Sequence, residues 1–193
     1  MSTDHGVAAP SRWIVRWSHL VPSAGRVLDV ACGSGRHARW FVERNHPVTG
    51  VDRSQAAINA IAALGPAVRP VHADIEGGPW PLAGETFDAV IVTNYLWRPR
   101  LAAIVGAVAP GGVLLYETFA AGNETVGKPS RPDFLLQPGE LLTACAGLRV
   151  VAYENGFMAA PERFVQRIAA VRPAVDPQEN PARHSLGSGP ANQ

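Results

Sequence analysis

The chain has 193 residues, a length that suits one domain with a single well-buried core. Its formal net charge of +1 gives no broad argument for a nucleic-acid or membrane-surface partner. Hydrophobic residues make up 47% and charged residues 17%, which excludes a disordered chain, and no apolar run reaches membrane-spanning length. The N-terminus lacks the apolar core of a signal peptide, so we expect a cytoplasmic protein.

The first predicted element is a short amphipathic helix within an N-terminal segment, residues 1–25. Ser11 is a possible N-cap for this helix. The apolar residues that follow it have helical spacing: Trp13, Ile14, Trp17 and Leu20. We expect this helix to dock on the main domain, residues 26–172.

In the main domain, short apolar runs alternate with Ala- and Leu-rich helical stretches. The predicted strands are "RVLDVA", "PVTGVD", "AVRPVHAD", "FDAVIVTN" and "GGVLLYETF". The predicted helices are "GRHARWFVERN", "SQAAINAIAALG", "LAAIVGAVAP" and, after the fifth strand, "PGELLTACAG". Near-continuous apolar strands are typical of a parallel sheet with helices on both faces.

The C-terminal part of the domain follows a different pattern. "LRVVAYENGFM" and "ERFVQRIAAVR" are strand-like runs separated by a short turn around residues 159–161, too short for a parallel crossover. The sequence therefore predicts an α/β fold: a Rossmann-like, mostly parallel seven-stranded sheet that ends in an antiparallel hairpin. The Pro-, Gly- and polar-rich residues 173–193 are predicted to form a flexible tail.

A glycine-rich turn follows the first predicted strand. "GSGRHA", which begins at Gly33 and includes Gly35, fits the dinucleotide fingerprint G-x-G-x-x-[G/A], and Asp52 follows about twenty positions on. An NAD(P)-dependent oxidoreductase is therefore one hypothesis. The fingerprint alone is weak evidence, because turns of this kind bind many polar or anionic ligands.

Two further acids point to a different ligand. Asp29 lies inside the first strand, where a carboxylate would repel a pyrophosphate and would suit a cationic ligand. Asp74 follows the third strand, where it can accept a hydrogen bond from an adenine amino group while Ile75 packs on the ring. The terminal hairpin is also foreign to the dinucleotide fold in its common strand order.

These motifs resemble those of the class I S-adenosylmethionine (SAM)-dependent methyltransferases. "VLDVACGSGRHA" is similar to their glycine-rich first motif, "VDRS" to the acidic end of strand two and "ADIE" to the adenine-contacting acid. The "GSGRHA" form and the small size resemble the small-molecule branch, including tellurite-resistance-type enzymes. Ala31 stands where the family often has Gly. The fourth strand ends in "TNYLWRP", without the Asn-Pro-Pro-aromatic motif of amino-methylating DNA and glutamine enzymes.

The resemblance implies an enzyme that transfers a methyl group from SAM to a small-molecule acceptor by in-line displacement and leaves S-adenosylhomocysteine (SAH). It assigns these residues to the cofactor: Asp29, Ala31, Gly33, Gly35, Asp52, Arg53, Asp74, Ile75, Thr93 and Asn94. A non-catalytic SAM-binding module stays open as an alternative, because no catalytic triad is evident.

The acceptor side is expected at the loops after strands four and five. Tyr95 and Glu117 are the candidate catalytic residues. The long connection over residues 120–137, with Lys128 and Arg131, is a lid or binding loop in one interpretation and a solvated loop in the other. The acceptor is expected to be anionic or aromatic, with no nucleic acid, membrane or metal involved. The sequence leaves the oligomeric state open.

Overall fold

The computed structural model describes residues 8–174 and 183–186. The helices are α1 (Arg12–Trp17), α2 (Arg36–Val42), α3 (Gln55–Ala62), α4 (Leu101–Gly106) and α5 (Glu140–Ala144). The strands are β1 (Val27–Val30), β2 (Val48–Asp52), β3 (Val68–His72), β4 (Phe87–Thr93), β5 (Val108–Phe119), β6 (Arg149–Ala159) and β7 (Glu162–Val171). Most of the predicted flexible tail lies outside the described residues; within it, the carbonyl oxygen of Ser185 lies 3.0 Å from Nε2 of His19.

The seven strands form one sheet in the order β3-β2-β1-β4-β5-β7-β6. Strands β1 to β5 all run parallel to one another, whereas β7 runs antiparallel to both β5 and β6. Only two residues separate β6 from β7, and a connection that short permits only an antiparallel pair. The predicted fold class, a mostly parallel seven-stranded sheet with a terminal antiparallel hairpin, is confirmed.

Each face of the sheet has its own hydrophobic core. One core contains residues of α1, α2 and α3, and the other contains residues of α4 and α5. The predicted docking helix is present: Oγ of Ser11 accepts a hydrogen bond from the Trp13 N–H at 3.1 Å, and Trp13 and Trp17 are buried. The burial of two tryptophans fixes α1 against the sheet, because large aromatic side chains contribute much of a core's stability.

The boundary between α4 and β5 differs from the prediction. The sequence suggested a helix through Pro110 and a strand from Gly111, but α4 ends at Gly106 and β5 begins at Val108. Val108 is buried and pairs with Phe87 of β4, and the register then shifts. Tertiary burial of a β-branched residue therefore overrides the local helical pattern.

Candidate active site

The turn after β1 uses a backbone conformation that favours glycine. Ala31, Gly33 and Gly35 all have positive φ angles, of 52°, 52° and 80°. A Cβ at Gly35 would also lie 2.6 Å from Cγ2 of Ile61 in α3, so only glycine fits there. Ala31 adopts the left-handed conformation at some cost, which explains why glycine suits its position.

Asp52, at the end of β2, reaches across to this turn. Its Oδ2 accepts a hydrogen bond from the Gly33 N–H at 2.9 Å, and its Oδ1 accepts one from the Ser54 N–H at 2.8 Å. Ser54 itself caps α3 by accepting a hydrogen bond from the Ala57 N–H. Asp52 therefore holds two backbone segments in place without being the cap of the following helix.

Asp74 lies just after β3 at the same edge of the sheet. Its Oδ1 accepts hydrogen bonds from the N–H groups of Glu76 and Gly77, at 2.9 and 3.1 Å. These backbone donors hold the pKa of Asp74 below its usual range, so the side chain is a carboxylate at neutral pH. Asp74 is both a turn residue and an exposed acid beside the glycine turn.

A first cleft, of about 140 Å³, opens between these segments. Its lining residues are Ala31, Asp52, Arg53, Ala73, Asp74, Ile75, Glu76 and Tyr95. It lies at the carboxyl ends of the parallel strands, where ligands bind in open α/β sheets. The structure thus gathers five of the residues that the sequence assigned to a cofactor: Ala31, Asp52, Arg53, Asp74 and Ile75.

Asp29 lies in β1, beneath the turn, and does not line the first cleft. It is 2% exposed, and its Oδ2 has no hydrogen-bond partner among the described residues. Burial raises its pKa to about 8, although the Ala38 N–H and the Arg36 guanidinium oppose that rise. A buried carboxylate oxygen without a partner is costly, and a ligand that carries positive charge near the turn would reduce that cost.

A second cleft, of about 290 Å³, adjoins the first and shares Glu76 and Tyr95 with it. Its lining residues are Glu76, Asn94, Tyr95, Leu96, Thr118, Phe119, Pro129 and Phe134. Asn94, a predicted cofactor residue, therefore lines this cleft rather than the first, and its φ of 54° is left-handed. Pro129 and Phe134 bring the 120–137 loop to the site.

Tyr95 is placed between the two clefts. Its hydroxyl is buried and has no hydrogen-bond partner among the described residues, and its carbonyl oxygen accepts a hydrogen bond from the Tyr116 hydroxyl at 2.8 Å. Burial raises the pKa of Tyr95, so the phenol keeps its proton at neutral pH.

Glu117 lines neither cleft. It is 2% exposed, lies 2.9 Å from Nε of Arg167 and 3.7 Å from Nη2 of Arg163, and accepts a hydrogen bond from Oγ of Ser11 at 2.9 Å. Arg167 sits directly opposite Glu117 in the β5–β7 register. Neither arginine is evident from the sequence, because both reach Glu117 through the long-range pairing of β7 with β5.

A buried histidine that is not among the predicted site residues links α1 to the end of β4. Nε2 of His37 accepts a hydrogen bond from the Ser11 N–H at 3.1 Å, so its proton is on Nδ1, 3.5 Å from Oγ1 of Thr93. Burial, with Arg36 nearby, lowers the pKa of His37 to about 3, so the imidazole is neutral. Thr93, a predicted cofactor residue, lies in this group and lines neither cleft.

Within residues 8–174 and 183–186, no three His, Cys, Asp or Glu side chains are arranged to hold a metal ion. In the same ranges, every helix is too short or too polar to cross a membrane.

Comparisons with known proteins agree with the fold. Residues 27–112 match the methyltransferase domain family. The chain is 34% identical over 116 residues to phthiotriol/phenolphthiotriol dimycocerosates methyltransferase 1 of Mycobacterium ulcerans, which covers 55% of this chain and 42% of that protein. It is 29% identical over 135 residues to the malonyl-[acyl-carrier protein] O-methyltransferase of Serratia marcescens, covering 64% and 53%. The chain spans about half the length of these relatives.

Other matches widen the range of named substrates and support the fold. The tRNA U34 carboxymethyltransferase of Methylococcus capsulatus is 31% identical over 145 residues, covering 62% of this chain and 42% of that protein. Among solved structures, TehB from Haemophilus influenzae superposes with a TM-score of 0.64 at 19% identity, covering 80% of this chain and 60% of that one.

The strand order, with β7 inserted antiparallel between β5 and β6, and the match of residues 27–112 to the methyltransferase domain family, which extends over β1 to β4 and the first part of β5, both support a class I SAM-dependent methyltransferase. The dinucleotide fold in its common form has a parallel strand in place of the hairpin, so the oxidoreductase hypothesis is not favoured. SAM is the cofactor of the class, and the acids around the glycine turn fit it.

Proposed function

We propose that this chain transfers a methyl group from SAM to a small-molecule acceptor. The observation that carries the proposal is the convergence of Asp52 and Asp74 in one cleft beside the glycine turn. The buried Asp29 lies beneath the turn, and its Oδ2 has no hydrogen-bond partner among the described residues. Carboxylates there suit a ligand with hydroxyls, an amino group and positive charge, and they would repel a pyrophosphate.

Each cofactor residue has a role that follows from its place. Asp52 accepts hydrogen bonds from the ribose hydroxyls, and Asp74 accepts one from the adenine amino group while Ile75 packs on the ring. The turn at Ala31, Gly33 and Gly35 gives the ligand close access to the backbone. Arg53, Thr93 and Asn94 complete the predicted cofactor set, and the positive charge of a bound ligand would favour the ionised form of Asp29 beneath the turn.

The protein's part in the reaction is orientation and exclusion of water. When bound, SAM supplies a methyl group on a sulfonium, which an acceptor lone pair displaces in line. Placing the reactants in line accounts for several kcal/mol of the barrier, about 7–11 kcal/mol at most, without a general base. Tyr95 stays protonated and forms the wall between the clefts. We assign Glu117 a positioning role, in which it holds the start of α1 through Ser11.

The acceptor is proposed to be a small molecule rather than a nucleic acid or a membrane lipid. The formal net charge of +1 supplies no broad basic surface for RNA. A cleft of about 290 Å³ beside the first cleft has the size for a small ligand. We also propose that the protein acts in the cytoplasm.

Calorimetric titration with SAM and SAH tests the cofactor assignment. Micromolar-range binding of both, and NADH fluorescence that does not change on mixing, is the expected result. A folded protein that binds neither SAM nor SAH would refute the proposed function.

The alternative, a SAM-binding module without turnover, is not favoured. The two candidate catalytic residues are both constrained, since Glu117 is paired with Arg167 and Tyr95 keeps its proton, but in-line displacement can proceed without a general base. A methyl-release assay against phenols, amines, thiols and small oxyanions separates the two, because turnover of any acceptor rules the module out.

A further inference from the structure

We propose that the second cleft binds a planar, uncharged or cationic aromatic acceptor about two fused rings in size, and that it discriminates against anions. The inference rests on the proposed function, because it takes the first cleft as the cofactor's place. The sequence left both an anionic and an aromatic acceptor open, and this inference selects the aromatic class.

The lining of the second cleft is mostly apolar and aromatic. Tyr95, Phe119 and Phe134 contribute three rings, and Leu96 and Pro129 add aliphatic surface. Phe134 is 37% exposed, so the Arg131 guanidinium that lies over its ring leaves part of the side chain uncovered. Aromatic walls favour a flat ring, because offset or edge-to-face ring pairs gain about 0.5–1.5 kcal/mol beyond burial.

The volume sets the approximate size of the acceptor. An apolar cavity of about 150 Å³ binds one benzene ring. The second cleft measures about 290 Å³, roughly twice that volume, so it accommodates a fused bicyclic ring. It joins the first cleft at Glu76 and Tyr95, so a ring held there is next to the proposed cofactor site.

The charge of the lining argues against an anion. Among the eight lining residues, Glu76 is the only one that is charged at neutral pH, since Tyr95 keeps its proton. The two loop cations do not line the cleft: Lys128 is exposed, and the exposed Arg131 pairs with Asp133 at 2.8 Å, with its guanidinium carbon 5.4 Å from the centroid of the Phe134 ring. Arg53, which lines the first cleft, already pairs with Glu76 at 3.7 Å. A carboxylate on the acceptor would therefore lose hydration without gaining a cationic partner among the eight lining residues, which raises the cost of binding.

Hydrogen bonds from Arg98 and Asn123 hold residues 129–134, the outer wall of the second cleft, in place. Arg98 donates hydrogen bonds to the carbonyl oxygens of Asp133 and Leu135, on either side of Phe134, each at 2.8 Å. Nδ2 of the buried Asn123 donates one to the Pro129 carbonyl oxygen at 2.9 Å. These anchors make residues 129–134 a fixed wall, which supports the binding-loop interpretation over the solvated one.

The test compares 2-naphthol, quinolin-6-amine and 2-naphthoate, which share a fused bicyclic shape; the first two are neutral at neutral pH and the third is an anion. Each is titrated calorimetrically into the full chain saturated with SAH. We expect the naphthol and the amine to bind at least tenfold more tightly than the naphthoate. Phe134→Ala should weaken naphthol binding at least fivefold with SAH binding unchanged, and Glu76→Gln should reduce the discrimination against naphthoate.

Leu142→Ala is the control variant, because Leu142 is an exposed apolar residue of α5 outside both clefts. Circular dichroism verifies that each variant is folded. Equal or tighter naphthoate binding, no binding of any of the three rings, or an unchanged naphthol affinity in Phe134→Ala would overturn the inference. These results leave the proposed function standing as long as SAH binds, whereas loss of SAH binding by the wild-type chain contradicts the proposed function itself.

Discussion

Oδ2 of Asp52 accepts a hydrogen bond from the backbone N–H of Gly33, with 2.9 Å between the two atoms. This contact ties the end of β2 to the glycine turn after β1, the two segments that border the first cleft. Oδ1 accepts from the Ser54 N–H, so each carboxylate oxygen retains a further lone pair for a ligand. Asp52 thus has a structural role, and the proposed function gives it a binding role as well.

We expect Asp52→Ala to raise the dissociation constant of SAH by about 10- to 100-fold. A hydrogen bond to a charged group contributes about 1.5–3 kcal/mol, and the substitution removes acceptors for both ribose hydroxyls. Titration calorimetry measures the change. Glu43→Ala, which removes an exposed acid at the end of α2, is the matched control and should bind SAH as the wild type does. Equal affinities of the two variants would argue against a ribose contact.

Two glycines of the same turn should respond differently to alanine. Gly35→Ala places a Cβ 2.6 Å from Cγ2 of Ile61 as well as imposing left-handed strain, so we expect a loss of about 2–4 kcal/mol in the free energy of unfolding. Gly33→Ala meets no atom within 4 Å and should cost only about 1–2 kcal/mol. Urea titration compares them, and an equal cost would mean that α3 moves aside freely.

The sequence predicted the fold more completely than the site. Strand periodicity and the two-residue turn were sufficient for the seven-stranded sheet, because both are local signals. The partners of Glu117 were beyond reach, since Arg163 and Arg167 arrive through the antiparallel pairing of β7. The second cleft was equally hidden, because it combines Glu76 with Phe134 of a distant loop.

The environment of Asp29 also depends on a contact that the strand pattern does not indicate. The acid within an apolar strand stands out in the sequence, but its burial beneath the turn depends on α2 covering that face. Periodicity does not indicate which face of a strand carries the ligand when both faces are buried.

The raised pKa of Asp29 predicts a pH dependence of stability in the absence of cofactor. Between the unfolded value of 3.8 and the folded value of about 8, the folded state binds a proton that the unfolded state has released. The free energy of unfolding therefore falls as pH rises through this window. Asparagine does not ionise, so Asp29→Asn removes this pH-dependent loss. The free energy of unfolding of Asp29→Asn minus that of the wild type should therefore increase by about 4 kcal/mol between pH 5 and 8.

Urea titrations of both proteins at pH 5, 6.5 and 8 measure this difference. His37, whose pKa is lowered to about 3, destabilises the fold as pH drops below 6.5, but it is present in both proteins and cancels. A relative stability that does not change with pH would show that Asp29 is ionised throughout.

Arg98 should keep residues 129–134, the outer wall of the second cleft, in a fixed conformation. It makes ion-pair hydrogen bonds to both carboxylate oxygens of Glu140, at 2.7 and 2.9 Å, besides its two loop carbonyls. Arg98→Ala is expected to lower the free energy of unfolding by about 1–2 kcal/mol, because the pair is only partly buried. Amide exchange across residues 129–136 should accelerate. Arg39→Ala, which removes an exposed arginine of α2, should change neither quantity, and protection unchanged in both variants would contradict the anchoring role.

The most direct test of the central claim is a crystal structure of the full chain grown with SAH. The account predicts ligand density in the first cleft, with the ribose hydroxyls within hydrogen-bond distance of Asp52 and the adenine beside Asp74 and Ile75. Ligand density at another place, or a bound ligand that touches neither Asp52 nor Asp74, would contradict it.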